Sequence, residues 1–329
     1  MIRAATANGK TPPMKKEFSD LGPTLKQSVS EWSADNCMRL AASLSLYTLL
    51  ALAPLMVIAV KVGALLLGQQ RAAQIVENQT NKAMGGSGAP AIHQMIMHAT
   101  QPKSGIVAAA ISLVIVLFSA SGAIRELRDS LNIIWDVKIK SGLGWWYAIK
   151  SRVVPMVLVL FVAVLMLASV VLSALITGFS RHMGPIAKPA SFVGDIVVSI
   201  AVLSALFALL FKYIPRAKVA WRDALIGGTF SGVLFVVGNY LLSLYFKYGS
   251  PTSAYGALGS IVAVLLWVYY SAQILFFGAE FTQVHARRHG RPLEPTYDSV
   301  KVVEQEQPVV REVPPGGRLA ELEQRKVSH

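Results

Sequence analysis

The sequence predicts an all-α, polytopic membrane protein with six transmembrane helices, additional amphipathic helices at the interface, and both termini in the cytoplasm. Three observations support this fold class. Of the 329 residues, 53% are hydrophobic and only 15% are charged, whereas soluble domains carry about 25% charged residues. The apolar residues are concentrated in long runs, which raise the mean hydropathy to +0.50. Lysines and arginines cluster in alternate connections between these runs.

Six apolar runs are long enough to cross a bilayer, which requires about 20 residues of helix. In chain order they cover residues 40–67, 105–124, 153–177, 196–211, 224–246 and 258–281. Ser104 stands in an N-cap position before the second run. Pro155 falls in the first turn of the third run, where a missing backbone N–H is tolerated.

The distribution of positive charge sets the predicted orientation. Nineteen lysines and arginines fall in the N-terminal segment, in the second-to-third and fourth-to-fifth connections, and just after the sixth run, against six in the other connections. Cytoplasmic loops carry such an excess, so both termini are expected in the cytoplasm. The net charge of +13 is then explained by topology and by anionic lipid headgroups at the cytoplasmic face. A nucleic-acid partner is not required.

Composition also predicts the limits of the folded part. Residues 1–17 are expected to be disordered, and residues 18–290 to form the transmembrane domain. Residues 291–329 are rich in Pro, Glu and Arg and poor in aromatic residues. This composition predicts a mostly disordered cytoplasmic tail.

Two segments outside the runs show helical amphipathicity. Before the first run, Leu25, Val29 and Trp32 recur at helical spacing. This helix is expected either to lie on the inner leaflet or to pack against the cytoplasmic ends of the bundle. After the second run, an apolar stripe predicts a helix at the cytoplasmic interface; it consists of Ile124, Leu127, Leu131 and Ile134.

The sequence contains no recognisable catalytic constellation. The single cysteine, Cys37, excludes an intrachain disulfide. His285 and His289 stand four residues apart, but no carboxylate or cysteine accompanies them in a metal-binding motif. The phosphate-binding loop and the zinc-protease motif are both missing from the sequence. We therefore expect no enzyme activity, no cofactor and no metal.

Polar and helix-breaking residues within the runs are more informative, because polar groups are costly in a bilayer. Lys61 is interpreted either as a partner for a carboxylate or a lipid phosphate, or as a side chain reaching the outer headgroups. Pro54 is expected to kink the first helix. Gly228 and Gly232 form a small-xxx-small pair that permits close helix contact. Gln273 is expected to hydrogen-bond between helices.

Glu280 lies at the cytoplasmic end of the sixth run, where the helix dipole disfavours a negative charge. A cationic partner is therefore expected for its carboxylate. The candidates are Arg125 and Arg128 after the second run, Arg39 before the first, and the basic fourth-to-fifth connection. Two roles remain open for Glu280: a structural clamp between helices, or a gate or proton-linked site.

Three separated stretches resemble the YihY/BrkB family of bacterial inner-membrane proteins. The first is RLAASLSLYTLLALAPL, which ends one residue after Pro54. The second is SGAIRELRDSLNIIWDV, with Leu131, Asn132 and Trp135. The third is YGALGSIVAVLLWVYYSAQILFFGAEFTQ, with Tyr255, Gly256 and Glu280. The resemblance covers about residues 18–290 and implies a six-helix inner-membrane protein. It supplies no catalytic residues, and the family's former label of ribonuclease BN finds no support in these short cytoplasmic loops.

The functional expectation is transport or export of a lipid or another amphipathic anion across the envelope. The alternative is a structural or assembly factor for envelope proteins that transports nothing. A tRNA-processing nuclease is disfavoured. The expected partners are membrane lipids, with a second copy of the chain or another envelope protein as further candidates.

Overall fold

The computed structural model describes most of the chain, chiefly in four continuous stretches. These are residues 21–68, 122–140, 187–249 and 258–302, together with single helical residues and pairs between 70 and 97. The predicted third run and most of the second lie outside the described residues. So do residues 1–17, Tyr255 and Gly256, and the chain after residue 302.

The described residues are mainly helical. The helices are α1 (Leu21–Ala34), α2 (Cys37–Leu67), α3 (122–134), α4 (Ala187–Tyr213), α5 (Trp221–Gly249) and α6 (Gly259–Arg288). Four short strands join them: β1 (Val137–Ile139), β2 (Ala217–Lys218), β3 (Glu294–Pro295) and β4 (Ser299–Lys301). Helix α6 packs against α1, α2 and α5, and α4 packs against α5.

Three of the described helices are long and apolar enough to cross a membrane. The qualifying stretches are Ile196–Tyr213 in α4, Trp221–Phe246 in α5 and Gly259–Arg288 in α6. They coincide with the predicted fourth, fifth and sixth runs. Helix α2 (Cys37–Leu67) spans the predicted first run, and its described side chains, Cys37–Leu52, are also mainly apolar.

Helix α1 forms where the amphipathic pattern predicts it, but its buried face differs from the predicted stripe. Thr24 and Ser28 are the fully buried side chains, whereas Val29 remains 52% exposed. Helix α1 packs against α6, and its two buried residues both have small side chains. Packing against the end of the bundle is thus the alternative that the structure favours, and Val29 is left on the outer face.

Close packing of α4 against α5 depends on glycine. A Cβ atom added to Gly228 would lie 2.5 Å from the carbonyl oxygen of Ser204, and one added to Gly232 would lie 2.7 Å from the Ser204 hydroxyl. No larger residue fits at this distance. The predicted small-xxx-small contact is therefore confirmed.

The chain after α6 differs from the predicted disordered tail. Residues 291–302 continue in order, and β3 and β4 pair antiparallel with β2 and β1 respectively. A two- or three-residue strand has no recognisable sequence pattern, and these pairings join segments that are far apart along the chain. The prediction that disorder begins at Arg291 is wrong for these residues.

The hydrophobic core gathers at the end of the bundle where α2 begins and α6 ends. We call this the basic end, because Arg216, Arg287, Arg288 and Arg291 lie there. Trp135 and Phe211 meet edge to face with ring centroids 6.2 Å apart. Leu131 and Ile134, from the predicted stripe on α3, are completely buried in this core.

Candidate functional site

Glu280 is the central residue of the basic end. Its side chain is completely buried, within an unbroken buried stretch of α6 that runs from Gly278 to Ala286. The Cys37 thiol at the start of α2 donates to Oε1 of Glu280, with a sulfur–oxygen distance of 3.6 Å. The second oxygen, Oε2, accepts no hydrogen bond from an N–H or O–H group of the described residues. A buried carboxyl group with so few partners is unusual and calls for an explanation.

Asp35 is the second acidic residue at this site. It belongs to the two-residue link between α1 and α2, and its carboxyl group lies within hydrogen-bonding reach of the Glu280 carboxyl. Two carboxylates are both acceptors, so this contact becomes a hydrogen bond only when one group carries a proton. The next residue, Asn36, holds a left-handed backbone with φ of 53°. Asparagine tolerates this conformation, which turns the chain sharply into α2.

The arginines at the end of α6 bind α1 instead of Glu280. Arg287 contacts both carboxylate oxygens of Glu31 at 3.1 and 2.9 Å. Arg288 donates to the side-chain oxygen of Gln27 at 3.0 Å, and Gln27 donates to Glu31 at 2.9 Å. Cations in the last turn also complement the dipole of α6. This network holds α1 across the end of the helix that carries Glu280.

The turn after α3 holds α6 from another side. The indole N–H of Trp135 donates to the backbone carbonyl of Ala279 at 3.1 Å. One helical turn beyond Ala279, Gln283 donates to Asp136 at 3.3 Å. Partial loss of water contact raises the pKa of Asp136, while Arg287 and the Gln283 hydrogen bond lower it in part.

The segment 291–302 fastens the connection between α4 and α5. Arg291 binds both oxygens of the buried Asp223 carboxylate, at 3.1 and 2.6 Å. Arg216 binds the buried carboxylate of Asp298 at 3.0 Å. The Asn132 side chain accepts a hydrogen bond from the backbone N–H of Arg216 at 2.9 Å. We call residues 291–302 the strap, because they join the α3–β1 turn to the α4–α5 connection.

Comparison with known proteins identifies the fold family of this arrangement. A family model described as Virulence factor BrkB matches residues 28–301, which include α1 from Ser28 onward, the bundle and the strap. The chain belongs to the BrkB family. The match ends within the strap, at the last residue of β4, so the strap lies inside the family region.

Curated relatives of this BrkB-family chain are membrane proteins and a ribonuclease-like protein. The ribonuclease-like protein YfkH of Bacillus subtilis (strain 168) is 21% identical over 285 residues, covering 83% of this chain and 98% of YfkH. A UPF0761 membrane protein of Yersinia pestis (strain Pestoides F) is 31% identical over 173 residues, covering 50% of this chain and 56% of the relative. No solved structure matches this chain.

The candidate residues of the BrkB-family chain divide into three groups. Glu280, Trp135 and Asn132 all lie at the basic end and make the contacts given above. Arg125 and Arg128 lie near Asp129 on their own helix α3. Pro54 and Lys61 fall within α2, but their side chains are not described, and Tyr255 and Gly256 lie outside the described residues.

The described contacts of Glu280 differ from the expected pairing with a cation. The described contacts of Glu280 run to Cys37 and Asp35, and the arginines nearest along α6 bind α1. Sequence reasoning assumed that a buried carboxylate must meet a positive charge. A protonated carboxyl or a thiol can also donate a hydrogen bond to a buried carboxylate, and neither group appears as a positive charge in the sequence.

Several residues at the basic end were not singled out from the sequence: Asp35, Cys37, Asp223 and Asp298. Asp223 follows Arg222 at the start of an apolar run and resembles an ordinary first-turn carboxylate. Asp298 was assigned to the tail. Among the described residues, no three His, Cys, Asp or Glu side chains are grouped to hold a metal ion.

Proposed function

We propose that this BrkB-family chain is a non-enzymatic protein of the bacterial inner membrane that moves a lipid or another amphipathic anion. In this proposal six helices cross the membrane, and both termini and the basic end lie in the cytoplasm. The excess of lysine and arginine in the corresponding connections supports this orientation. The membrane-protein name of the Yersinia relative supports the location in a membrane.

The observation that carries the transport proposal is a set of polar atoms buried at membrane depth. Oε1 of Gln273 in α6 and Oγ of Ser204 in α4 are shielded from solvent and have no hydrogen-bond partner among the described residues. At the contact between α5 and α6, the Trp267 indole donates to the Asn239 side chain at 3.1 Å. Polar groups in a membrane span are costly, and they mark substrate or ion pathways by default.

The polar atoms of α6 line up toward the basic end. Gln273 and Glu280 are seven residues apart, so they share a face and lie about 10 Å apart along the axis. Trp267 lies about 9 Å further along α6 and on a different face, the one that meets α5. Gln273 and Glu280 therefore form a polar pair on one face of α6, which ends at the buried carboxyl of Glu280.

The surface at the basic end suits an amphipathic anion. The Lys212 ammonium lies 5.7 Å from the ring centroid of Trp221, and Tyr213 meets the same ring edge to face at 5.9 Å. Trp221 and Tyr213 are both nearly half exposed. Exposed aromatic rings beside a cation are typical of the headgroup region, where they contact apolar chains and phosphate together.

The transport proposal is tested in proteoliposomes that contain fluorescently labelled phosphatidylglycerol. An impermeant reductant bleaches the outer leaflet, so any further bleaching measures lipid movement across the bilayer. Gln273→Leu is expected to slow this movement by roughly tenfold, equivalent to about 1.4 kcal/mol in the barrier. Ser271→Ala is the matched control, because the Ser271 hydroxyl donates within its own helix to Trp267 at 2.8 Å. Movement no faster than in protein-free liposomes would refute transport of this lipid.

The second candidate is an assembly factor, which the ion-pair network favours. Arg287–Glu31, Arg291–Asp223 and Arg216–Asp298 fasten the connections of the basic end to one another. Such a rigid surface suits a partner protein. If the wild-type protein moves no lipid but an envelope protein copurifies with it, and Arg287→Ala abolishes that copurification, the assembly role is the correct one.

A further inference from the structure

The link between α1 and α2 lies against α6, and its Asp35 carboxyl faces the Glu280 carboxyl. Asp35 sits in the link, and Glu280 is completely buried beneath it. One oxygen of Glu280 accepts the Cys37 thiol hydrogen, and the other has no N–H or O–H donor among the described residues. A proton shared between the two carboxyl groups would supply the missing donor.

We propose that Asp35 and Glu280 form a proton-binding site, and that the bound proton keeps the α1–α2 link closed over α6. Losing the proton leaves two negative charges facing each other in a site with little water. Like charges at close range repel more strongly where little water screens them. The negative end of the α6 dipole adds to this repulsion.

The charged groups that face this pair come from each element packed around it. Helix α1 contributes Glu31, whose charge is balanced by Arg287 of α6. Helix α2 contributes the Cys37 thiol, which is a donor and carries no charge in this contact. From the turn after α3, Asp136 faces Gln283 and Arg287 instead of Glu280. Among these described neighbours, Arg287 is a cation, and Glu31 binds it at 2.9 Å.

The link is the element best placed to respond. It is two residues long, and Asn36 holds a left-handed conformation that relaxation of the turn would release. Helix α1 itself is held by the partly exposed Arg287–Glu31 pair and by Arg288 and Gln27. Deprotonation is therefore expected to lift the link while α1 stays attached, which exposes Glu280 and Cys37 to water.

Cys37 is a natural reporter of this opening, because it is the only cysteine and is completely buried. The experiment uses the full-length protein in detergent and measures its reaction with a neutral pyridyl disulfide across a pH series. Each rate is divided by that of the same chain unfolded in denaturant at the same pH, which removes the intrinsic pH dependence of the thiol. The corrected rate of the wild type is expected to rise with pH on the order of tenfold, as closure weakens.

Three variants decide the outcome. Glu280→Gln and Asp35→Asn each remove one carboxyl group and are expected to abolish the corrected rise. Asp136→Asn removes a carboxyl at the same end of the bundle that does not face Glu280, and it should keep the wild-type rise. If Glu280→Gln does not fold, Asp35→Asn at the half-buried position in the link decides alone.

A flat corrected rate in the wild type would overturn the proposal, and so would a rise that persists without Asp35. The measurement requires no lipid movement. Failure of the transport proposal therefore leaves this result unaffected, and a chain that transports but shows no corrected rise refutes only the proton-binding site.

Discussion

The Arg216 guanidinium lies 3.0 Å from the Asp298 carboxylate, which is only 1% exposed. This ion pair joins the α4–α5 connection to the strap. The Thr296 and Ser299 hydroxyls also donate to the backbone carbonyl of Arg216, at 3.0 and 2.8 Å. The strap therefore binds both the side chain and the backbone carbonyl of Arg216.

Removing the Arg216 guanidinium should destabilise the fold more than removing a nearby surface charge. Arg216→Met leaves the Asp298 carboxylate buried without its cation, which is expected to cost about 3 kcal/mol of unfolding free energy. The matched control is Lys218→Met, because Lys218 and Glu294 form a pair at 3.5 Å that is 64% and 72% exposed. Exposed pairs contribute less than about 1 kcal/mol. Thermal unfolding in detergent measures the stability of both variants. Equal losses of stability would contradict a special role for the buried Arg216–Asp298 pair.

The strap should be required for stability, whereas the chain beyond it should not. A stop after Gly290 removes β3 and β4 and leaves Asp223 and Arg216 without their partners. This truncation is expected to lower the Tm by several degrees and to reduce the yield of inserted protein. The control is a stop after Val302, which keeps both strands. A Tm unchanged by the longer truncation would show that the strap contributes nothing to folding.

Sequence reasoning located the helices well because hydropathy is a local property. The predicted run 224–246 lies within Trp221–Gly249, and the run 196–211 lies within Ala187–Tyr213. The bounds differ because apolar runs stop at the first charge, whereas backbone hydrogen bonding continues; α6 extends through Phe281 to Arg288. Helix type follows from nearby residues, so it can be predicted from a single sequence.

The site was only partly predictable, because it depends on contacts between residues that are far apart along the chain. Glu280 was conspicuous as a carboxylate at the end of an apolar run. Its partners were not, because Cys37 and Asp35 are unremarkable where they stand, and only the folded chain brings them to α6. The Asp298–Arg216 pair was missed for the same reason. Contacts between distant segments leave no periodic pattern in the sequence.

A methyl group at Gly228 should disrupt the contact between α4 and α5. The new Cβ would lie 2.5 Å from the Ser204 carbonyl oxygen and 2.7 Å from the Ala208 nitrogen, and backbone atoms of a packed helix cannot easily move away. Gly228→Ala is expected to cost about 1–3 kcal/mol, as is typical of overpacking. Gly22→Ala in α1 is the control, since a Cβ there meets no atom within 4 Å. Thermal unfolding of the two variants should separate them, and equal stability would argue against close packing of these helices.

The proposed orientation predicts which surfaces a reagent reaches from each side of the membrane. In a Cys37→Ser background, Tyr248→Cys places a thiol at the end of α5 far from the basic end, and Tyr297→Cys places one in the strap. Both positions are well exposed, at 75% and 73%. Because α5 begins beside Arg216 and runs away from the basic end, its last turn is expected outside the cell if the basic end is inside.

An impermeant maleimide should therefore label Tyr248→Cys in spheroplasts and Tyr297→Cys in inside-out vesicles. Ser30→Cys on the exposed side of α1 provides an independent probe, since α1 is held to α6 by Arg287 and Glu31. It should behave like Tyr297→Cys, because both adjoin the same end of α6. Labelling of Tyr297→Cys in spheroplasts would reverse the orientation. Opposite behaviour of Ser30→Cys and Tyr297→Cys would instead be incompatible with the packing of α1 and the strap at one end of the bundle.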